Sequence, residues 1–128
     1  YEAGILQVDD WERAVLCPMV DARRMEVYTQ LFDPNGQPLS EVSAEVVDGD
    51  SFAAQRTGER PFVIFGNGAR KCADVLTGAR LVEVTPSARG LVHLAQQALD
   101  AGHTEDIAYF EPFYLKDFVV TTSKKKLF

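Results

Sequence analysis

At 128 residues the chain has the length of one domain and enough material for a real hydrophobic core. Hydrophobic residues make up 46% and charged residues 25%, an ordinary globular balance in which no apolar run reaches the length that crosses a bilayer. The formal net charge of −6 argues against a broad basic surface of the kind that binds nucleic acid by counterion release.

Residues 1–13 show no clean period and hold the sole tryptophan, Trp11, among the acids Asp9, Asp10 and Glu12. They read as an entry segment continuing from an upstream element. Tyr1 agrees with a piece cut from a longer chain, and no basic stretch followed by an apolar one marks a secretion signal. Residues 14–20 are a continuous apolar run, the pattern of a strand buried on both faces. Pro18 falls inside it and cannot donate to a ladder, which predicts an irregularity there. After the charged turn Asp21-Ala22-Arg23-Arg24 a second strand alternates strictly. Met25, Val27, Thr29 and Leu31 share one face, and Glu26, Tyr28, Gln30 and Phe32 the other. Asp33-Pro34-Asn35-Gly36 has the composition of a type I turn. A third strand over 39–47, with Val42, Ala44 and Val46 alternating against Glu41, Ser43 and Glu45, completes an antiparallel meander.

The pattern then changes. Asp48 or Asp50 caps a short helix through Phe52 and Ala53, stopped by Gly58. Residues 61–65 form a short buried strand closed by Gly66-Asn67-Gly68. Ala69, Cys72, Ala73 and Leu76 recur at helical spacing, with Gly78 beyond the end. Residues 81–84 are another strand. Thr85-Pro86-Ser87 opens the longest helix, with Pro86 at its first position, an apolar stripe of Ala88, Leu91, Val92, Ala95, Ala98 and Leu99, and Gly102 as its stop. The order β-β-β-α-β-α-β-α, a meander followed by parallel crossover units, predicts an α/β, ribonuclease-H-like domain with a mixed five-stranded sheet over residues 14–108. Residues 109–128 read as an extended C-terminal arm and tail, rich in aromatics and broken by Pro112.

Gly66-Asn67-Gly68 lies between strand and helix, where a backbone can approach a phosphate. Lacking a third glycine and a Lys-Ser/Thr pair, it reads first as a tight turn capped by Asn67, with phosphate contact as the alternative. Asp21, Glu26, Asp48, Asp50 and Asp74 would have to converge to hold the two divalent metals of a nuclease on such a sheet. Asp21 ends a strand, Glu26 lies on one face of the next and Asp74 lies off the apolar face of its helix, so these acids read as a solvated face. Asp21 and Arg23 read as pairing with each other or with the turn backbone. No serine sits in a nucleophile elbow. Cys17 and Cys72 lie in apolar surroundings, as core thiols of a reducing compartment, and neither belongs to a CxxC pair. His93 and His103 are too far apart for a helix-borne metal pair. Tyr109, Phe110, Phe113, Tyr114 and Phe118 read as core filler or, if exposed, as an interface patch. Lys124-Lys125-Lys126 reads as a solvated tail.

Four stretches together resemble one family. Val20-Asp21-Ala22-Arg23-Arg24-Met25-Glu26-Val27-Tyr28 is similar to the I-D-A-R-x-x-E-V-Y hairpin of the TsaB (YeaZ) proteins. Phe62-Val63-Ile64-Phe65-Gly66-Asn67-Gly68 resembles their following strand and G-x-G turn. Thr85-Pro86-Ser87-Ala88 through Leu94-Ala95 resembles the P-x-A-x-x-L-x-x-L-A helix, and Glu111-Pro112-Phe113-Tyr114-Leu115-Lys116 the C-terminal E-P-x-Y-L-R. Order and spacing match over nearly the whole chain. Pro18 departs from the small residue the family often has there, and beyond Asp117 no motif is recognised.

The resemblance implies the C-terminal half of a protein built from two ribonuclease-H-like halves of the actin/heat-shock ATPase superfamily. The upstream half carries the main dimerisation surface, shared with the paralogue TsaD. It implies a non-catalytic scaffold, needed to make threonylcarbamoyladenosine beside the anticodon of tRNA. The expected partners are a TsaD-like transferase, which carries the metal, a TsaE-like ATPase, and a second copy of the full-length protein. Asp21, Arg23, Gly66 and Gly68 are the candidate partner or nucleotide contacts. No metal and no cofactor is expected in this half, although a nucleotide near the full-length interface is compatible with it. Direct tRNA binding by this half, membrane association and the older glycoprotease label are not expected; a cytoplasmic location is. The alternative reading is a metal-dependent nuclease or phosphotransferase on the same fold, which needs Asp21, Glu26 and a third carboxylate to converge.

Overall fold

The computed structural model describes residues 10–116. Five strands and three helices form, in chain order, β1 (Val15–Asp21), β2 (Glu26–Thr29), β3 (Ser43–Val46), α1 (Ala53–Arg56), β4 (Phe62–Phe65), α2 (Ala69–Ala73), β5 (Arg80–Val82) and α3 (Val92–Asp100). Short 3-10 turns at Trp11–Arg13 and Ala88–Leu91 precede β1 and α3. The architecture is α/β with one five-stranded mixed sheet in the order β3-β2-β1-β4-β5. β1 pairs antiparallel with β2 and parallel with β4, while β2–β3 is antiparallel and β4–β5 parallel.

The continuous apolar run of β1 follows from that central position. Val15, Cys17 and Met19 point into one core with Val27, Phe62, Ile64, Ala69, Cys72 and Leu76. Leu16 points to the other face, with Ala14, Val63, Phe65 and Val82. Each fully buried Leu, Ile, Met or Phe contributes about 1.5–3 kcal/mol. On the first face Phe52, ahead of α1, stacks a tilted ring 5.5 Å from Phe62. Two arginines tie the connections together: Arg56 donates to the carbonyls of Ser51 and Thr77 in two loops, both at 2.8 Å, and Arg60 to those of Arg13 and Ala14, just before β1, at 2.8 and 3.1 Å.

Pro18 interrupts the ladder without shifting its register. Leu16 exchanges both backbone bonds with Phe32, and Met19 pairs with Thr29 in the same register. The next hydrogen-bonded rung between them would need an N–H at Pro18, which has none. The hydroxyl of Thr29, a buried polar side chain, donates to the Pro18 carbonyl at 2.7 Å and lies 3.1 Å from Cys17 Sγ. Burial pushes the Cys17 thiol up to about 12, so it stays protonated.

Several boundaries differ from expectation. β3 is shorter than residues 39–47 because side-chain bonds replace the ladder before it: Ser40 Oγ accepts from the Leu31 amide at 2.9 Å, and Gln30 donates to the Ser40 carbonyl at 2.8 Å. β5 stops at Val82 rather than Val84. α2 ends at Ala73, yet Leu76 remains buried because the amides of Val75 and Leu76 both bond the Cys72 carbonyl in a tight turn. The expected long helix does not start at Pro86. Ser87 caps a 3-10 turn, accepting from the Arg89 amide at 3.2 Å, and the α-helix begins only at Val92, after Gly90 has weakened the first turn. The stripe of that helix is not buried: Leu91, Val92 and Leu99 are all exposed. Residues 109–116 form no regular element, and Tyr109, Phe110, Phe113 and Tyr114 are exposed, so they are not core filler. The expectations for residues 1–9, Phe118 and the lysine run fall outside the described residues. No helix among the described residues is long and apolar enough to cross a membrane.

Replacing Thr29 with Val removes the hydroxyl that bonds the Pro18 carbonyl. The expected loss is about 1–2 kcal/mol, read as a lowered urea midpoint at unchanged slope; an unchanged midpoint would show that the bond contributes nothing.

Candidate functional site

β1 and β4 are parallel neighbours, so the turn leaving β4 meets the end of β1. This brings Asp21, Gly66 and Gly68 to one place, with Arg23 joined to Asp21 through its amide. The Gly68 amide donates to the Met19 carbonyl at 2.9 Å, and the Asn67 side-chain oxygen accepts from the Asp21 amide at 3.0 Å. The approach explains both glycines. A Cβ on Gly66, whose φ is +102°, would lie 2.5 Å from the Met19 carbonyl oxygen. One on Gly68 would lie 3.0 Å from the Asp21 nitrogen and from Val27 Cγ1. On their Cβ side both glycines face the β1 backbone rather than open space. The Ala69 amide also bonds internally, to the Gly66 carbonyl at 3.1 Å, and α2 is one turn long.

Asp21 is held on two sides. Its Oδ1 accepts from the Arg23 amide at 3.0 Å, an Asx turn, and from Lys71 Nζ. The expected pairing of Asp21 with the turn backbone is therefore present, but its side-chain partner is Lys71 rather than Arg23. Lys71 also donates to the Glu26 carbonyl at 2.7 Å, so one ammonium ties β1, β2 and α2 together. The Lys71 bond, and after it the Arg23 amide, holds the Asp21 carboxyl below the usual carboxylate range. A depressed carboxylate stabilises the folded chain at neutral pH, and that contribution is lost as the pH falls below about 4. Arg23 and Arg24 turn the chain with φ of 73° and 47°, left-handed values uncommon outside glycine, and both are exposed.

Lys71 was not legible as a site residue. It stands fifty positions from Asp21, and its one local sign is that it falls off the apolar stripe of Ala69 and Cys72. Glu26 is likewise engaged: Lys116 Nζ contacts its Oε1 at 2.8 Å and its Oε2 at 2.9 Å, and this bond raises the lysine. Asp48 closes its own turn, accepting from the amides of Asp50 and Ser51 at 2.9 and 3.0 Å, which lowers it. Asp50 and Asp74 are exposed. Among the described residues no three His, Cys, Asp or Glu side chains are grouped to hold one metal ion. A cleft of about 1010 Å³ lies apart from these residues, between Phe32, the 35–37 turn and residues 84–97.

No protein-family model and no curated protein matches this chain.

Two substitutions examine the joint. Gly66→Ala is expected to cost about 1–3 kcal/mol through left-handed strain and the Met19 clash, whereas Gly49→Ala, with open space around it, changes thermal stability little. Lys71→Met is expected to raise the Asp21 pKa toward the ordinary carboxylate range in a carboxyl-carbon NMR titration; an unmoved value would mean that the Arg23 amide alone depresses it.

Proposed function

We propose that this chain is a ribonuclease-H-like, TsaB-like C-terminal half that acts as a non-catalytic scaffold in threonylcarbamoyladenosine modification of tRNA. The sheet order β3-β2-β1-β4-β5, antiparallel through β1 and parallel beyond it, supports the fold assignment. The observation that carries the scaffold reading is the closed joint at the end of β1. Asp21 is taken by Lys71 and the Arg23 amide, and the glycine turn is taken by the β1 backbone. Groups that could do chemistry are spent on shape, while charged Arg23 and Arg24 and a row of apolar side chains face outward. The partners in this reading are TsaD-like and TsaE-like proteins in the cytoplasm, and the net charge of −6 disfavours direct tRNA contact.

The reading as a metal-dependent nuclease or phosphotransferase needs Asp21, Glu26 and a third carboxylate around one ion. Asp21 instead faces Lys71, and Glu26 faces Lys116.

The full-length parent is expected to co-elute with a purified TsaD-like protein, and modification of tRNA by TsaD-like and TsaE-like proteins together is expected to require it. A parent that binds neither protein overturns the proposal. Saturable divalent-metal binding by the parent alone, measured by calorimetry, would favour the enzymatic reading.

A further inference from the structure

Residues 105–115 carry the most exposed large apolar side chains among the described residues: Ile107 is 95% exposed, Tyr109 83%, Tyr114 79% and Phe113 78%. The segment nevertheless has a defined shape. At its start Gly102, with φ of 71°, closes α3, and the His103 amide returns to the Ala98 carbonyl at 2.8 Å. Within it, Asp106 Oδ1 accepts from the Ala108 amide at 2.9 Å, and the Asp106 carbonyl accepts from the amides of Tyr109 and Phe110 at 3.1 and 2.8 Å. Pro112 restricts the next step. At its end Lys116 grips both carboxylate oxygens of Glu26 on β2. Backbone bonds shape residues 103–110 and Lys116 ties down the far end, while the large side chains between these anchors are exposed.

Charge narrows what such a surface can meet. The charged residues between Thr104 and Leu115 are Glu105, Asp106 and Glu111, all acidic, and the positive Lys116 is already paired. Three carboxylates among the rings repel the phosphates of a nucleic acid and of an anionic membrane alike. They complement a protein groove with an apolar floor and lysines or arginines at its rim.

We infer that residues 105–115 form a docking strap for a partner protein that offers an apolar groove with a basic rim. Phe113 and Tyr114 are the anchors, and Glu105 and Glu111 provide the charge match. Because the strap is tied at both ends, binding loses less conformational entropy than it would for a free segment. This inference rests on the scaffold reading, which supplies the partners to be tried.

The test uses the full-length parent, with purified TsaD-like and TsaE-like proteins as probes in interferometry at low and high salt. Phe113→Ala/Tyr114→Ala is expected to weaken binding to one of the two about tenfold or more, the scale of aromatic anchors. Glu105→Gln/Glu111→Gln is expected to weaken it a few-fold at low salt and not at high salt. Both variants should melt as the wild type does, since the replaced side chains are exposed. Unchanged affinities while the wild type binds overturn the strap alone. A melting point several degrees lower for the aromatic variant overturns it too, by showing that these rings pack inside the parent. A wild type that binds neither probe overturns the scaffold reading and the strap with it.

Discussion

The structure depends on the contact between the end of β1 and the turn that leaves β4. Two backbones approach there more closely than side chains permit, and glycine at 66 and 68 is the condition for it. The Gly68 amide extends the parallel ladder one rung beyond β4, and Asn67 supplies the acceptor for the rung after that. Lys71 then binds the outer end of the joint, reaching from α2 to the Asp21 carboxylate and the Glu26 carbonyl. The meander and the crossover unit, already paired along β1 and β4, are held together at this end as well.

The same joint accounts for the use of β1 on both edges. A strand with neighbours on each side and apolar material on each face has no surface left for polar residues, so its sequence is nearly uniform from Ala14 to Val20. Coverage is not even. Leu16, Val63 and Phe65 are buried on the second face, while Val20 and Val46, on the same face toward the antiparallel edge, are 55% and 70% exposed. The cost of Pro18 in this strand is one missing rung, partly offset by the hydroxyl of Thr29. Register survives because it is set on both sides of the gap, at Leu16–Phe32 and at Met19–Thr29.

Function, in this reading, follows from where charge is neutralised and where it is not. Asp21, Glu26 and Asp48 are among the acids that the linear sequence leaves as a solvated face. In space each has its own partner: a lysine from α2, a lysine from the C-terminal arm, and the amides of its own turn. Outward-facing groups include the arginine pair of the first hairpin and the acidic, aromatic residues 105–115. The two carry opposite charge.

Local chemistry made much of this legible in advance. Alternation in residues 25–32, the Asp-Pro-Asn-Gly turn and the apolar run at 62–65 are short-range signals, and the corresponding strands and turn are present. The Gly-Asn-Gly stretch was legible as a tight turn, because glycine is selected there by backbone geometry within a few residues, but Asn67 does not cap the following helix as expected: its side-chain oxygen accepts from the Asp21 amide instead. Two kinds of fact were beyond the sequence. Long-range pairing was one: Lys71 to Asp21 and Lys116 to Glu26 span fifty and ninety positions, and nothing local in either residue names its partner. Burial was the other. The stripe of Leu91, Val92 and Leu99 and the rings of 109–114 have the composition of core, but composition sets only the gain from burial. Which surface arrives to cover an apolar stripe is decided by the path of the whole chain, and here that path leaves both exposed.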